Sequence, residues 1–346
     1  MAIMTVNGTI DAKAAGYVLP HEHLLIDLLV FCQKPADPTI PYDQKLTMDK
    51  LIYVKKDPYL IFDNAVIDEV DVAIQEMKRC KALGIDTVVD VTLDTIARDP
   101  LKLKRISDES GMNIVMGAGY YVGAAHPAYI KEKTQSELAK EILKDVYEGV
   151  GNTGIKAGVI GEIGTSAVVS ENEWKCVLAA GEAQRESGKA MHVHTSLYEE
   201  NGVEILKKLK QVGANVGKVA IDHIDVDIRE DYIERLLDMG AYVEFDNFGK
   251  EFYISKRTGA TLNGRFAYDL ERAETIARLV KKGYTDRILV TNDICLKNML
   301  IKYGGCGYGH VVENIIPMLM DCVLTEREID IIYRENPVNF LDEEKR

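Results

Sequence analysis

The sequence is poor in everything that staples, anchors or draws a polyanion. Six cysteines (Cys32, Cys80, Cys176, Cys295, Cys306, Cys322) lie far apart with no CxxC pair, which excludes a disulfide scaffold. No apolar run approaches the ~20 residues of a membrane span, and no apolar leader follows a basic start. A cytoplasmic protein with reduced thiols is therefore expected. Positive charge is short as well: 42 Lys and Arg stand against 55 Asp and Glu, for a net charge of −13. Phosphate backbones are bound by basic surfaces, so nucleic acid is excluded as a partner and a small-molecule substrate is expected. There is no low-complexity linker, and no glycine-rich dinucleotide fingerprint follows the first strand.

What is present is a βα alternation. Short β-branched runs occur at 17–23, 86–92, 113–121, 157–164, 190–196, 218–225, 241–246 and 288–293. Between them lie stretches of helical period such as 66–84, 171–188 and 231–240, each with glycine at its end. Eight such units predict an α/β protein built as a closed (β/α)8 TIM barrel, a fold of about 250 residues before insertions, rather than an open sheet of five or six strands. A single barrel domain over residues 1–346 is the simplest organisation. The surplus length falls at 28–65, 247–265 and 295–308, after the first, seventh and eighth strands. These segments lie on the face where barrel active sites form.

Barrel interiors are apolar, so polar residues at strand ends need a reason. His21 and His23 stand two apart at the end of the first strand and so share a face. Glu162 lies on the fourth strand, His194 on the fifth, His223 on the sixth and Asp293 on the eighth. Four histidines and two carboxylates on one rim are the ligand types of a catalytic divalent metal, and six are too many for one tetrahedral ion with an open position. They suit two ions, with a carboxylate and a hydroxide shared between them.

The motifs "LPHEHL" (19–24), "AGVIGEIGTS" (157–166), "HVHTS" (192–196), "IDHID" (221–225), "VTNDIC" (290–295) and "YGGCGYG" (303–309) resemble, in order, those of the phosphotriesterase family of the amidohydrolase superfamily. The resemblance implies a binuclear centre: His21, His23 and Asp293 on the more buried ion, His194 and His223 on the more exposed one. Well-known members bridge the ions with a carboxylated lysine at a position that aligns with Gly161. A sister group, the phosphotriesterase homology and phosphotriesterase-related proteins, uses glutamate. "GEIGTS" makes Glu162 the bridge, which requires a slight shift of the fourth strand; Lys156, six residues earlier, is the weaker alternative. Zinc is the first expectation for both ions, with manganese, cobalt or iron accepted by the same ligands. A homodimer is common in the family.

Asp293 has a second expected role, carrying the attacking water's proton to the leaving group. Tyr121 matches the tyrosine that family lactonases place near the substrate oxygen, with Tyr120 or simple packing as the alternative. His192 reads as a buried, hydrogen-bonded histidine; His126 and His310 read as capping or surface residues. Lys250, Lys256, Arg257 and Arg265 give the loop after the seventh strand a basic character, either as a solvated loop or as a site for an anionic group. Asn247, where lactonases of lipophilic lactones tend to carry arginine, weakens an acyl-homoserine-lactone reading. The expected activity is hydrolysis of a lactone, possibly a phosphorylated sugar lactone. The alternatives are hydrolysis of an N-acylated amino compound, phosphotriester or aryl ester cleavage as a side activity, and a non-catalytic metal-binding barrel.

Overall fold

A computed structural model describes residues 2–254 and 264–343. Eight strands, β1 (Tyr17–Glu22), β2 (Ile85–Asp90), β3 (Asn113–Ala118), β4 (Val159–Gly164), β5 (Met191–His194), β6 (Val219–Ile221), β7 (Tyr242–Phe245) and β8 (Ile288–Val290), form one sheet in chain order, each parallel to the next. The (β/α)8 barrel expected from the alternation is the fold found. Strands β1 and β8 are the two ends of the ladder, and a side chain ties them together. The Glu22 carboxylate accepts from Thr291 Oγ1 (2.5 Å), Asn292 N (2.9 Å) and Ile294 N (2.7 Å). One buried carboxylate thus does across the seam what backbone ladders do elsewhere.

The outer layer is α1 (Val70–Ala82), α2 (Pro100–Ser110), α3 (Gln135–Tyr147), α4 (Glu171–Ser187), α5 (Gly202–Gln211), α6 (Glu230–Asp238) and α7 (Asp269–Lys281), followed by helical stretches at 311–321 and 326–341. Their starts are written locally. Asp99 caps α2 with Pro100 at its first position, and Thr134 with Glu137 and Ser170 with Glu173 form reciprocal capping boxes on α3 and α4. Among the described residues no helix is long and apolar enough to cross a membrane.

The N-terminal hairpin (Ala2–Thr5 with Gly8–Asp11) and the C-terminal helix Asn336–Leu341 close the floor. The Phe340 ring packs on Tyr242 (5.1 Å) and on His192 (5.0 Å), and Lys218 Nζ donates to the carbonyls of Phe340 and Asp342. The opposite end carries the insertions: 28–65, tied down by the short pair Ile26–Asp27 and Val66–Ile67, and a ribbon of Tyr253–Ile254 with Gly264–Arg265.

The sixth and eighth strands are shorter than the sequence runs suggest, ending at Ile221 and Val290 rather than at 225 and 293. The cause lies in the polar residues that follow. His223 (φ 62°) and Asp293 (φ 47°) take left-handed backbone conformations, which break the pleat and turn their side chains toward the barrel axis. For a non-glycine residue that conformation costs ~1–3 kcal/mol and persists only where the surroundings enforce it.

Candidate metal centre

The structure brings all six expected ligands to one point inside the top of the barrel. Glu162 sits at the middle: its Oε1 lies 3.2 Å from His23 Nε2, while its Oε2 lies 3.0 Å from His194 Nδ1, 3.5 Å from His223 Nε2 and 3.7 Å from His21 Nε2. Asp293 Oδ1 faces His21 at the end of β1 and His23 just after it, 3.2 Å from His23 Nε2 and 3.8 Å from His21 Nε2. His194 Nδ1 and His223 Nε2 face each other at 2.8 Å. Two groups capable of holding an ion therefore share one carboxylate: His21, His23 and Glu162 on one side, Glu162, His194 and His223 on the other, with Asp293 beside His21 and His223.

Glu162 is aimed inward by an irregularity in its strand. The β4–β5 register shifts between Ile160 and Ile163, so residues 161 and 162 bulge and the regular alternation is reset. Gly161 makes this possible, at φ 112° and with its backbone so close to β5 that a Cβ would stand 2.4 Å from the His192 carbonyl oxygen. A lysine bridge at 161 has no room here. Lys156 is also excluded as a ligand: it lies at the opposite end of the barrel, in a groove formed with Met4–Thr9 of the N-terminal hairpin and Lys104.

Three of the four imidazoles are held from behind. His23 Nδ1 pairs with Thr92 Oγ1 (2.8 Å), His223 Nδ1 donates to Asp246 Oδ1 (3.0 Å), and His21 Nδ1 donates to Glu244 Oε2 (3.2 Å). Such outer partners fix which nitrogen faces the ion. Asp246 also accepts the His223 backbone N–H (2.9 Å), which stabilises the left-handed turn that aims the ring. Sequence reasoning did not single out Thr92, Asp222, Glu244 or Asp246 as site residues. A signal existed for two of them, since Glu244 and Asp246 stand two apart on the seventh strand and so share its inner face.

Electrostatics follow from this burial. Desolvation lowers the affinity of the His23 ring for a proton, but hydrogen bonds and charge from Asp293 and Glu162 prevail and raise its pKa to about 9. His21 and His223 are raised well above the ordinary value in the same way, against burial, by Glu162 with Asp222 and Glu244 in one case and by Asp246 in the other. Burial alone would raise Glu162 and Asp293, yet the surrounding imidazoles hold Glu162 well below the carboxylate range, and Lys250 with His23 and His21 does the same for Asp293. Buried carboxylates that stay anionic beside imidazoles suit a cation. One atom makes the same point. His21 Nε2 is buried and has no hydrogen-bond partner, facing Glu162 and Asp293 across a gap that a metal ion fits.

Around this centre Tyr121 is buried with its hydroxyl 3.5 Å from His194 Nδ1, while the Tyr120 hydroxyl is hydrogen-bonded to Glu141 (2.6 Å), so of the two it is Tyr121 that faces the imidazoles. His126 donates to the Tyr121 carbonyl (2.7 Å), and His310 is buried against Asp269 (2.8 Å) rather than exposed. The glycine-rich run at 303–309 serves the centre through Tyr308, whose hydroxyl donates to the His23 carbonyl (2.6 Å). Phe31 packs between Tyr59 (6.0 Å) and Tyr121 (6.2 Å) and gives the mouth an aromatic wall.

The basic loop differs from expectation. Lys250 is not on a solvated surface: it is buried and its ammonium is ion-paired with Asp293 Oδ2. Its carbonyl accepts from Arg272 (3.4 Å), itself buried between Asp225 (3.0 Å) and Asp269 (2.9 Å), which pins the loop to α7. Arg265 pairs with Glu271 at the surface, away from the centre. Lys256 and Arg257 lie outside the described residues.

Residues 1–341 match the model of the phosphotriesterase family. An N-acetyltaurine hydrolase of Xenopus tropicalis is 33% identical over 344 residues, covering 98% of this chain and 97% of that protein. A resiniferatoxin-binding protein from Rhodobacter sphaeroides superposes with a TM-score of 0.95 at 32% identity, over 100% of this chain and 96% of the other. The phosphotriesterase homology protein of Escherichia coli, solved with phosphate in its active site, gives a TM-score of 0.79 at 28% identity, over 96% of this chain and 100% of the other.

Proposed function

This chain belongs to the phosphotriesterase family of hydrolases, within the amidohydrolase superfamily, and on that premise we propose that it is a two-ion metal hydrolase cleaving the amide of an N-acylated amino compound that bears an acidic group. The observation that carries the two-ion reading is the placement of Glu162 among all four imidazoles, Oε1 facing His23 and Oε2 facing His194, His223 and, at 3.7 Å, His21. His21, His23 and Asp293 would hold the inner ion, His194 and His223 the outer, with Glu162 shared; zinc is the first choice of metal, manganese, cobalt or iron the others. The amide preference is supported by whole-length similarity to proteins named for hydrolysis of N-acetyltaurine, an amide with a sulfonate. It displaces lactone hydrolysis as the leading reading.

When bound, such a pair of ions supplies Lewis acidity that polarises the acyl carbonyl and activates a water. The protein's own residues do the rest. Asp293, beside the imidazoles of His21 and His23, takes the proton from the attacking water and delivers it to the departing amine. The Tyr121 hydroxyl, next to His194, donates to the carbonyl oxygen as negative charge builds on it. Phe31 and Tyr59 shelter the acyl group from water, and the Lys250 ammonium meets the acidic group of the substrate.

A second reading, opening of a phosphorylated lactone, draws support from the phosphate bound in the Escherichia coli neighbour's active site. One panel separates the two. Metal-loaded protein is offered N-acetyltaurine, N-acetylated acidic amino acids, neutral N-acetyl amines, and lactones with and without phosphate, with Glu162→Ala as the control. Amine release from the acidic amides, faster than any lactone opening and lost in the control, supports the proposal. Faster lactone opening overturns it.

A further inference from the structure

Beneath the six residues of the centre lies a second polar layer that none of its proposed chemistry uses. His192 on β5, Asp222 just after β6 and Glu244 on β7 are fully buried inside the barrel, where apolar side chains are the rule. They surround the rear nitrogen of His21. Glu244 Oε2 lies 3.2 Å from His21 Nδ1 and 3.1 Å from His192 Nδ1, while the two Asp222 oxygens lie 3.5 Å from His21 Nδ1 and 3.4 Å from His192 Nδ1. Below them the Phe340 ring stands edge-on to His192 at 5.0 Å and seals the layer from the floor.

With Glu244 ionised and no cation among these four residues, the shared Glu244 oxygen sets the protons of this layer. An ionised carboxylate only accepts, and the same Glu244 oxygen lies within reach of two imidazole Nδ1 atoms, so both nitrogens must carry hydrogen. In a neutral imidazole that leaves the Nε2 lone pair free. For His21 this is the atom that has no hydrogen-bond partner and looks up into the gap between Glu162 and Asp293. Two imidazole N–H groups face these carboxylates, while Asp222 Oδ2 and Glu244 Oε1 have no hydrogen-bond partner, so their charge is left to the two rings and to a cation the layer above would hold. A hydrophobic layer would pack as well but would leave His21 free to rotate or to present the wrong nitrogen.

We propose, resting on the two-ion reading, that Glu244, Asp222 and His192 are positioning residues for the inner ion, locking His21 with Nδ1–H turned down and the Nε2 lone pair turned up. They touch neither substrate nor ion. Their effect is selective, because the outer ring His223 has its own partner in Asp246.

The decisive variant is Glu244→Gln. A carboxamide of the same shape offers His21 Nδ1 an N–H as readily as an oxygen, so it permits the inverted ring that points N–H at the inner ion. Titration of metal-free protein with zinc against a chelator should then show the affinity of one of two ions falling about 10- to 100-fold while the other stays within about threefold. His192→Gln and Asp222→Asn should each weaken the same ion. Loss of both ions equally, or of neither, overturns the proposal. The unaltered protein gives an independent readout should the variants fold poorly. With 15N-labelled histidine and cadmium-113 in place of zinc, His21 should show a slowly exchanging Nδ1–H and metal coupling through Nε2; coupling through Nδ1 overturns the proposal. Should the unaltered protein bind no ions, the two-ion reading fails by itself, and the Nδ1–H signals of the metal-free protein still report on the layer.

Discussion

Replacing Gly161 by alanine tests how the fold delivers its central carboxylate. The residue adopts φ 112°, a region that side chains avoid at a cost of ~1–3 kcal/mol. Its new Cβ would lie 2.4 Å from the His192 carbonyl oxygen, against the more than 3 Å that such a contact needs. That oxygen belongs to the backbone of β5, which also carries His194, so it yields only by moving a second ligand. Overpacking of this kind costs ~1–3 kcal/mol, for a sum of about 2–6 kcal/mol. The alternative relief, straightening the bulge, rotates Glu162 away from the imidazoles. Either route reduces metal binding. Gly84→Ala is the control, since Gly84 also has a positive φ (86°) but open space where its Cβ would go, and so reports the backbone cost alone. Urea unfolding and metal content by elemental analysis are the assays. A Gly161→Ala protein no less stable than the Gly84→Ala control and still loaded with two ions would refute the account of β4.

Three further outcomes are expected. Compared at equal metal content, because Asp293 would also hold the inner ion, Asp293→Asn should slow amide hydrolysis by about 10²–10⁴ but that of an activated aryl ester by about tenfold at most, because an amine leaves only when protonated; equal losses in kcat on both substrates would remove Asp293 from the proton path. Lys250→Met should raise KM for acidic N-acyl substrates about 10- to 100-fold, the worth of one charge-assisted hydrogen bond, and leave neutral amides within about threefold; a uniform effect would assign Lys250 to Asp293 alone. Metal affinity should climb with pH: the His23 ring, raised to about 9 against the opposing effect of burial by Asp293 and Glu162, carries below that value a proton that an ion must displace. Chelator competition between pH 6.5 and 9.5 should give an affinity that rises with pH; a flat profile would contradict the charge distribution described for the centre.

Much of this protein is legible one segment at a time. Strand runs of β-branched residues, helix periods and caps such as Ser170 with Glu173 are local, so the (β/α)8 order could be read along the chain. The six polar residues at strand ends were readable for the same reason: in a closed parallel barrel every strand end reaches one rim, so position along a strand fixes convergence without knowledge of packing. Strand limits were less so, because the left-handed turns at His223 and Asp293 depend on contacts such as Asp246 with the His223 N–H.

By itself, then, the sequence determined the fold class, the rim on which the site stands and the residues that gather there, since backbone periodicity and strand parity are properties of consecutive residues. Tertiary structure alone decided the remainder. The loop position of Lys250 suggested exposure, yet the Arg272 anchor turns it onto Asp293. Tyr120 and Tyr121 were equivalent on paper until packing sent one to Glu141 and the other to His194. His21 meets Glu244 across 223 residues of chain. Such pairings are set when the barrel closes, by which side chains can be desolvated together with their hydrogen bonds satisfied, and that condition belongs to the three-dimensional arrangement and not to any local pattern.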